Sequence, residues 1–336
     1  MAKVAVIGAG SFGVALSIHL VKKHQVTLWS FSEEEYEYIS THRDIGNKLP
    51  GIKLPEEIRI TTDLDVAVKE ADLTVLAVPS PFIRSTAKSL AAHLIEGQTV
   101  ASVAKGLEEA TLSRLSEVIA SELPQCDICI LSGPSHAEEV AVDLPTVLVA
   151  GARKKAVAEK VQSIFMDDTL RVYTSPDLIG MEMGAALKNV IALAAGMSDG
   201  LGFGDNTKAA LITRGIAEIT RLAVAMGGSP ETLSGLTGIG DLVVTCASLH
   251  SRNRNCGFMI GQGVDPKEAV KRVGMVVEGV NTAKAALMLS KKYEVSMPIT
   301  ESVNEVLFNG YSAKEAVVTL MNRDRRAENT GVSWEE

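Results

Sequence analysis

Cysteine and positive charge are both scarce in this sequence, and it has no long uninterrupted apolar run. Four cysteines in 336 residues are too few for a disulfide framework, which points to a reducing compartment. Cys126 and Cys129 form the only C-x-x-C. Their surroundings, CDICIL, read as an apolar strand, whereas a redox C-x-x-C opens a helix and a zinc site of that kind needs a second pair. Cys246 and Cys256 bracket His250 without a fourth ligand at short spacing, so no metal is expected. Lys and Arg number 33 against 41 Asp and Glu, a net charge of −8. That balance argues against coating nucleic acid or an anionic membrane surface. An anionic ligand would have to be held by a few local cations against the overall field. The apolar stretch ALKNVIALAAGM is broken by Lys188 and Asn189 and is too short to span a bilayer. Met-Ala-Lys leads directly into VAVIGAG with no leader pattern. The expectation is a soluble, cytoplasmic protein with no integral membrane segment.

Hydrophobic residues make up 46% of the chain and charged residues 22%, a globular composition with apolar material for more than one core. The length suggests two domains. From residue 3 to about 150 the runs KVAVI, QVTLW, IRIT, LTVLAV, TVASV, ICILS and TVLVA are each followed by helical or turn signals. Strands buried on both faces read this way, and their alternation with helices predicts a parallel, doubly wound sheet. RVYTS, residues 171–175, adds a last strand. After Pro176 the texture changes to Ala, Leu, Gly and Met at helical spacing. The expected fold is α/β: a Rossmann-like doubly wound domain over residues 1–180, then a mainly α-helical domain over 181–336. The stretch DLIGMEMGAALKNVIALAAG opens the second part as a long helix packed on the first. No solenoid repeat is visible, and the tail RDRRAENTGVSWEE reads as solvated or loosely docked.

Gly8-Ala9-Gly10-Ser11-Phe12-Gly13 follows the strand KVAVI and opens the helical pattern SFGVALSIHLVKK. In that context Gly8 permits a tight turn, Gly10 lets backbone approach a pyrophosphate, and Gly13 lets helix and strand pack closely. The helix N-terminus supplies N–H groups and positive potential. Gly235-x-x-Gly238-x-Gly240 follows no strand and has the spacing reversed, so it reads as a packing or backbone-approach loop. Discrimination between NAD and NADP is read just beyond the second strand, where a carboxylate accepts ribose hydroxyls or a cation accepts a 2′-phosphate. The sequence there is Trp29-Ser30-Phe31-Ser32-Glu33. Glu33 stands at about the expected distance and leans the expectation towards NADH, but Glu33-Glu34-Glu35 also reads as a solvated first helical turn.

For the substrate side, Lys188 stands among apolar and small residues, with Gly184 four positions before it and Ala192 four after. A desolvated lysine has a lowered pKa, and its neutral amine can take a hydroxyl proton. A packed stem with the ammonium reaching solvent is the plain alternative. Asn189 is adjacent and can bond either a substrate or backbone. Asp241 follows a glycine-rich turn, and Ser251, Arg252, Asn253 and Arg254 come ten residues later. Such a cluster can grip a phosphate through a planar guanidinium fork and neutral donors, or can be a solvated basic loop. Lys105-Gly106 and Gly133-Pro134-Ser135-His136 each follow a predicted strand, at the carboxyl ends where doubly wound folds bind ligands. His136 is a weaker base candidate than Lys188, since a single loop histidine is more often a structural hydrogen-bonder. Residues 201–207 are Gly-rich and receive no role.

GAGSFG, SVAKGLE, SGPSHAEEV, GAALKNVIALAAGMSDGLGFGDNTKAALITRG, GLTGIGDLVVTC, SRN and VVEG occur in this order across nearly the whole chain. In this the sequence resembles the bacterial-type NAD(P)-dependent sn-glycerol-3-phosphate dehydrogenases. The resemblance implies a two-domain, often dimeric cytoplasmic enzyme that interconverts glycerol 3-phosphate and dihydroxyacetone phosphate for phospholipid synthesis. It further implies that Lys188 is the proton acceptor, that Lys105 contacts substrate and cofactor, and that Asp241 orients the reacting end with Asn189 nearby. Ser251, Arg252 and Asn253 would hold the phosphate, with Gly133 and Ser135 lining the site. Ser11, Phe12, Lys105, Ala137, Arg252, Val276 and Glu278 would touch the dinucleotide. Phe31 stands where relatives often carry a basic residue, which argues against a strong NADPH preference. A related β-hydroxyacid dehydrogenase, which would favour a carboxylate, and a non-catalytic dinucleotide sensor are the competing readings.

Overall fold

The computed structural model describes residues 1–325 and residue 328. Eight strands, β1 Lys3–Ile7, β2 Gln25–Trp29, β3 Arg59–Thr61, β4 Leu73–Leu76, β5 Thr99–Ser102, β6 Asp127–Ser132, β7 Thr146–Ala152 and β8 Leu170–Ser175, form one sheet in the order β3-β2-β1-β4-β5-β6-β7-β8. Seven helices accompany them: α1 Ser11–Val21, α2 Glu33–His42, α3 Leu64–Val68, α4 Ile83–Leu90, α5 Leu115–Glu122, α6 Ala137–Val140 and α7 Lys155–Phe165. The strands pair in parallel with one exception, since β7 runs antiparallel to β6 and β8 then runs parallel to β7. The uniformly parallel sheet expected from the alternation is corrected at that pair. The connection between β6 and β7 carries only the four-residue α6, whereas parallel neighbours are usually joined through a longer crossover helix.

The central strands are buried on both faces: β4 and β5 are buried at every position. Side chains from β1 and β4 divide between two cores, Val4, Val6, Leu73 and Val75 packing in one and Ala5, Ile7 and Leu76 in the other. The chain reverses its strand order between β1 and β4, and the crevice outside the carboxyl ends at such a switch point is where open α/β sheets take their ligands.

Among the described residues, those after β8 are mainly helical: α8 Leu178–Gly200, α9 Asp205–Ala225, α10 Pro230–Leu233, α11 Asp241–Ala247, α12 Arg252–Gly261, α13 Pro266–Val273, α14 Glu278–Lys292, α15 Pro298–Phe308 and α16 Ala313–Met321. Residue 180, the expected boundary, falls in the first turn of α8. By length and composition α8 could cross a membrane, a longer helix than the interrupted apolar run suggested, but 89% of its apolar window is buried inside the fold. It is the axis around which the other helices pack. Glycines set its spacing to α12: a Cβ added at Gly196 or Gly200 would lie 2.0 or 2.2 Å from a carbonyl oxygen of α12. One added at Gly257 or Gly261 would lie 2.1 or 2.3 Å from one of α8. Backbone therefore meets backbone, and Asn189 on α8 meets Asn253 in the first turn of α12. The expected packing loop is a single wide turn, Leu236–Gly240, where a Cβ on Gly238 would stand 2.0 Å from the Leu233 carbonyl oxygen. Residues 326, 327 and 329–336 of the tail expected to be solvated lie outside the described residues.

Candidate active site

The glycine turn after β1 has the shape its sequence predicts. Gly8 adopts φ +121°, and a Cβ there would meet the Ala77 carbonyl oxygen beyond β4 at 2.8 Å. A Cβ on Gly13 would lie 2.0 Å from the Gly8 carbonyl oxygen, whereas Gly10 faces open space. No side chain caps α1, so the N–H groups of Ser11, Phe12 and Gly13 lack the partners that helical continuation would give them. Open space, free donors and a helix N-terminus fit a pyrophosphate.

Across the sheet's carboxyl end, Lys188 and Lys105 converge on one carboxylate. Lys188 Nζ donates to Asp241 Oδ1 at 2.5 Å and to Thr245 Oγ1 at 2.7 Å. Lys105 Nζ donates to Asp241 Oδ2 at 2.8 Å and to the Gly133 carbonyl at 2.8 Å. Each ammonium has three donors, so each keeps one N–H for another partner. Lys188 is 5% exposed and Asp241 1%. Burial pulls the Lys188 amine down to about 7, with Asp241 opposing and Lys105 reinforcing the fall. Burial also works against the Asp241 carboxylate, yet the two lysines hold it below the usual carboxylate range. The result is a lysine poised between its two protonation states near neutrality, as general acid–base work requires.

Thr245 was not singled out in the sequence. It lies one turn after Asp241 on α11, its hydroxyl donating to the Asp241 carbonyl at 2.6 Å. The signal was the four-residue spacing that puts both on one helical face.

The other expected residues divide. Ser251 is the N-cap of α12, accepting from the Arg254 N–H at 3.2 Å, and Arg252 begins that helix with its side chain exposed to a cleft of about 690 Å³ that Lys48, Glu138, His250 and Arg272 also line. Asn253 is committed internally: its Oδ1 accepts the Gly279 N–H at 2.8 Å and its amide donates to Asn189 Oδ1 at 3.0 Å. It therefore ties α8, α12 and α14 together and keeps at most one N–H for a ligand. Gly133 has φ +139° and its carbonyl also accepts the Ser135 hydroxyl at 3.0 Å. Ala137 begins α6 and is buried, and Val276 is half-buried just before α14. Glu278, the first residue of α14, accepts the Ser80 N–H at 2.9 Å and the Ser80 hydroxyl; burial raises its pKa, with Ser80 opposing. Gly106 lets this contact close, since a Cβ there would stand 2.7 Å from the Ser80 side chain. His136 is the N-cap position of α6. Its Nε2 is buried without a hydrogen-bond partner, and burial, then Lys188 and Lys105, lower its pKa.

At the adenosine end the acidic run after β2 divides. Glu33 accepts the Thr62 hydroxyl at 2.7 Å, whereas Glu35 turns back to the end of β2, where Ser30 Oγ donates to it at 2.5 Å. The Ser32 hydroxyl caps Glu35 N at 3.2 Å, and the tight turn it makes sends the first carboxylate of the run outward. Phe31 is 85% exposed, with its ring edge-on to Trp29 at 6.1 Å. Of the cysteines, Cys129 and Cys246 are pushed up to about 12, and Cys126 and Cys256 to about 11, by burial. Burial thus favours the thiol over the thiolate in all four at neutral pH.

Comparison with known proteins agrees with this architecture. Residues 3–158 match the model of the NAD-dependent glycerol-3-phosphate dehydrogenase N-terminus, and residues 177–318 that of its C-terminus. The chain is 58% identical over 335 residues to a glycerol-3-phosphate dehydrogenase [NAD(P)+] of Agathobacter rectalis, covering 99% of this chain and 100% of the relative. It is 54% identical to one of Fusobacterium nucleatum over 331 residues, 98% of this chain and 99% of the relative. A crystal structure of glycerol-3-phosphate dehydrogenase from Coxiella burnetii superposes with a TM-score of 0.92 at 35% identity, covering 96% of this chain and 99% of that one. With both halves of the family matched in order and end-to-end relatives more than half identical, the chain belongs to the NAD-dependent glycerol-3-phosphate dehydrogenases.

Proposed function

We propose that this NAD(P)-dependent oxidoreductase interconverts sn-glycerol 3-phosphate and dihydroxyacetone phosphate, with Lys188 exchanging the proton at the C2 oxygen. The observation that carries this is the buried Lys188 amine, brought down to about 7 and held between Asp241 and Thr245. The dinucleotide, when bound, accepts or supplies the hydride at C2. In the oxidation direction neutral Lys188 takes the hydroxyl proton; in reduction the protonated amine returns it to the carbonyl oxygen. Asp241 fixes the Lys188 amine and offsets its burial, and Lys105 adds a second N–H near the reacting oxygen. Arg252 contributes the planar fork for the phosphate, supported by the start of α12, Ser251 and Asn253. Asn189, Gly133 and Ser135 line the reacting end.

Gly8, Gly10, Ser11, Phe12 and Gly13 hold the pyrophosphate. Phe31, Lys105, Ala137, Arg252, Val276 and Glu278 contact other parts of the dinucleotide. Residues 1–180 serve mainly the dinucleotide and 181–336 mainly the substrate, with Lys105, Gly133 and Ser135 reaching the substrate from the first part and Arg252, Val276 and Glu278 reaching the dinucleotide from the second. The product supplies phospholipid synthesis in the cytoplasm, and the protein works as a homodimer, which light scattering in solution would check. Lys188→Met tests the central role: turnover should fall on the order of 100- to 10,000-fold, with the circular dichroism of the native protein. A variant turning over at near-normal rate would remove Lys188 from this role.

A further inference from the structure

Resting on the reading of the glycine turn as a dinucleotide site, we propose that the ion pair Glu35–Lys48 sets the choice between NADH and NADPH, and sets it for NADH. β2 ends beside the glycine turn, with the Gly8 N–H donating to the Trp29 carbonyl at 3.1 Å. The residue after such a strand meets the adenosine ribose, and a carboxylate there accepts its hydroxyls. Here that residue is Ser30, fully buried, whose own hydroxyl is spent on Glu35 Oε2 at 2.5 Å. Glu35 thus brings to the end of β2 the carboxylate that the strand itself lacks. Its other oxygen, Oε1, accepts Lys48 Nζ at 2.7 Å. Lys48 is fastened in turn to the pyrophosphate end, because its carbonyl accepts the Ser11 hydroxyl at 2.6 Å. The pair therefore lies between the start of α1 and the end of β2, on a cavity of about 350 Å³ lined also by Ser32, Glu34, Tyr38, Ile39 and Ile45, so that a second carboxylate adds to the negative side of the balance.

The charges decide the preference. A ribose 2′-hydroxyl is a donor and finds a carboxylate oriented by Ser30. A 2′-phosphate carries negative charge to the same carboxylate, and the cation paired with that carboxylate, Lys48, is already neutralised. The pair is half-open, with side-chain exposures of 24% for Glu35 and 50% for Lys48, so the lysine is free to re-aim once its partner is gone. Removing the charge of Glu35 converts a neutral pair into one free cation, which should reverse the discrimination.

Direct binding, read by quenching of protein fluorescence or by calorimetry without substrate, tests this apart from turnover. The wild-type protein should bind NADH about tenfold or more tighter than NADPH, the worth of one charge-assisted hydrogen bond. Adenosine 2′,5′-bisphosphate should compete less well than 5′-AMP. Glu35→Gln should weaken NADH and tighten NADPH, moving the ratio of the two dissociation constants by about tenfold or more. Lys48→Met in that background should remove the gain for NADPH. A wild-type preference for NADPH, or a folded Glu35→Gln variant with the native ratio, would overturn the proposal. Failure of the wild-type protein to bind either dinucleotide would overturn it too, and the dinucleotide reading along with it, so the two failures are distinguishable. The wild-type comparison of the two AMP compounds needs no variant, and tighter binding of adenosine 2′,5′-bisphosphate than of 5′-AMP would overturn the proposal even if the substitutions unfold the protein.

Discussion

Replacing Asp241 by Asn keeps the size of the side chain, removes its negative charge and turns one of its two acceptor oxygens, each of which takes a lysine ammonium, into a donor. In the native protein burial draws the Lys188 amine down to about 7 while Asp241, at 2.5 Å, opposes the fall. An ion pair near 4 Å is worth about 4 kcal/mol at an effective dielectric constant of about 20, and each pH unit of titration corresponds to about 1.4 kcal/mol. Allowing for relaxation and entering water, the midpoint of Lys188 titration should move to lower pH by about two pH units. The assay is the pH dependence of kcat/KM for oxidation of glycerol 3-phosphate. For the native enzyme this should rise with pH to a plateau, because the neutral amine is the base, with its midpoint near 7. For Asp241→Asn the rise should come at more acid pH and the plateau should be lower by about 100-fold, since a less basic amine without its orienting carboxylate is a poorer base. Because the equilibrium constant is unchanged, kcat/KM for reduction must fall by the same factor at each pH. A variant whose midpoint stays where it is in the native enzyme would refute the reasoning, by showing that Lys188 does not set the profile or that Asp241 does not set Lys188.

Arg252→Ala should raise KM for dihydroxyacetone phosphate by about 10- to 100-fold while leaving the slow reduction of unphosphorylated dihydroxyacetone nearly unchanged; equal losses on both would remove Arg252 from the phosphate. Thr245→Val deletes one of two partners of the Lys188 amine, and kcat should drop by about tenfold, with stopped-flow binding of NADH unaffected. Glu218 on α9 accepts the Ile299 N–H at 2.7 Å and the Thr300 N–H at 3.2 Å at the start of α15, and burial raises its pKa from 4.5 to about 7. For a carboxyl group raised on folding, the associated stability is complete below the unfolded value and is lost as pH rises through the folded one. Urea unfolding of the native protein between pH ~4.5 and ~7 should therefore lose about 3 kcal/mol that Glu218→Gln does not lose. Parallel pH slopes would show that Glu218 ionises normally.

Much of this was legible in the sequence because it depends on local pattern. The strand runs sit where their apolar residues place them, and the glycine turn takes the conformation that Gly8 and Gly13 require. Strand direction is not written in such runs: TVLVA reads alike parallel or antiparallel, and only the short connection through Ala137–Val140 betrays the reversal. Lys188 was legible as an isolated amine among small residues, but its two partners come from α11 and the turn after β5 was needed to bring Lys105 to the same carboxylate. Asn253 shows the opposite limit. Its place beside Arg252 suggests phosphate contact, but nothing in the sequence shows that it also braces Asn189 and the Gly279 N–H and keeps at most one N–H for a ligand. Glu33 and Glu35 differ only in which way a capped first turn points them, a distinction of geometry rather than composition.

The most direct test of the account is the initial rate of cofactor oxidation with dihydroxyacetone phosphate, run with NADH and with NADPH and with unphosphorylated dihydroxyacetone as the control. Fast turnover that depends on the phosphate is the predicted result. Protein that binds NADH yet turns over neither ketone with either cofactor would contradict it.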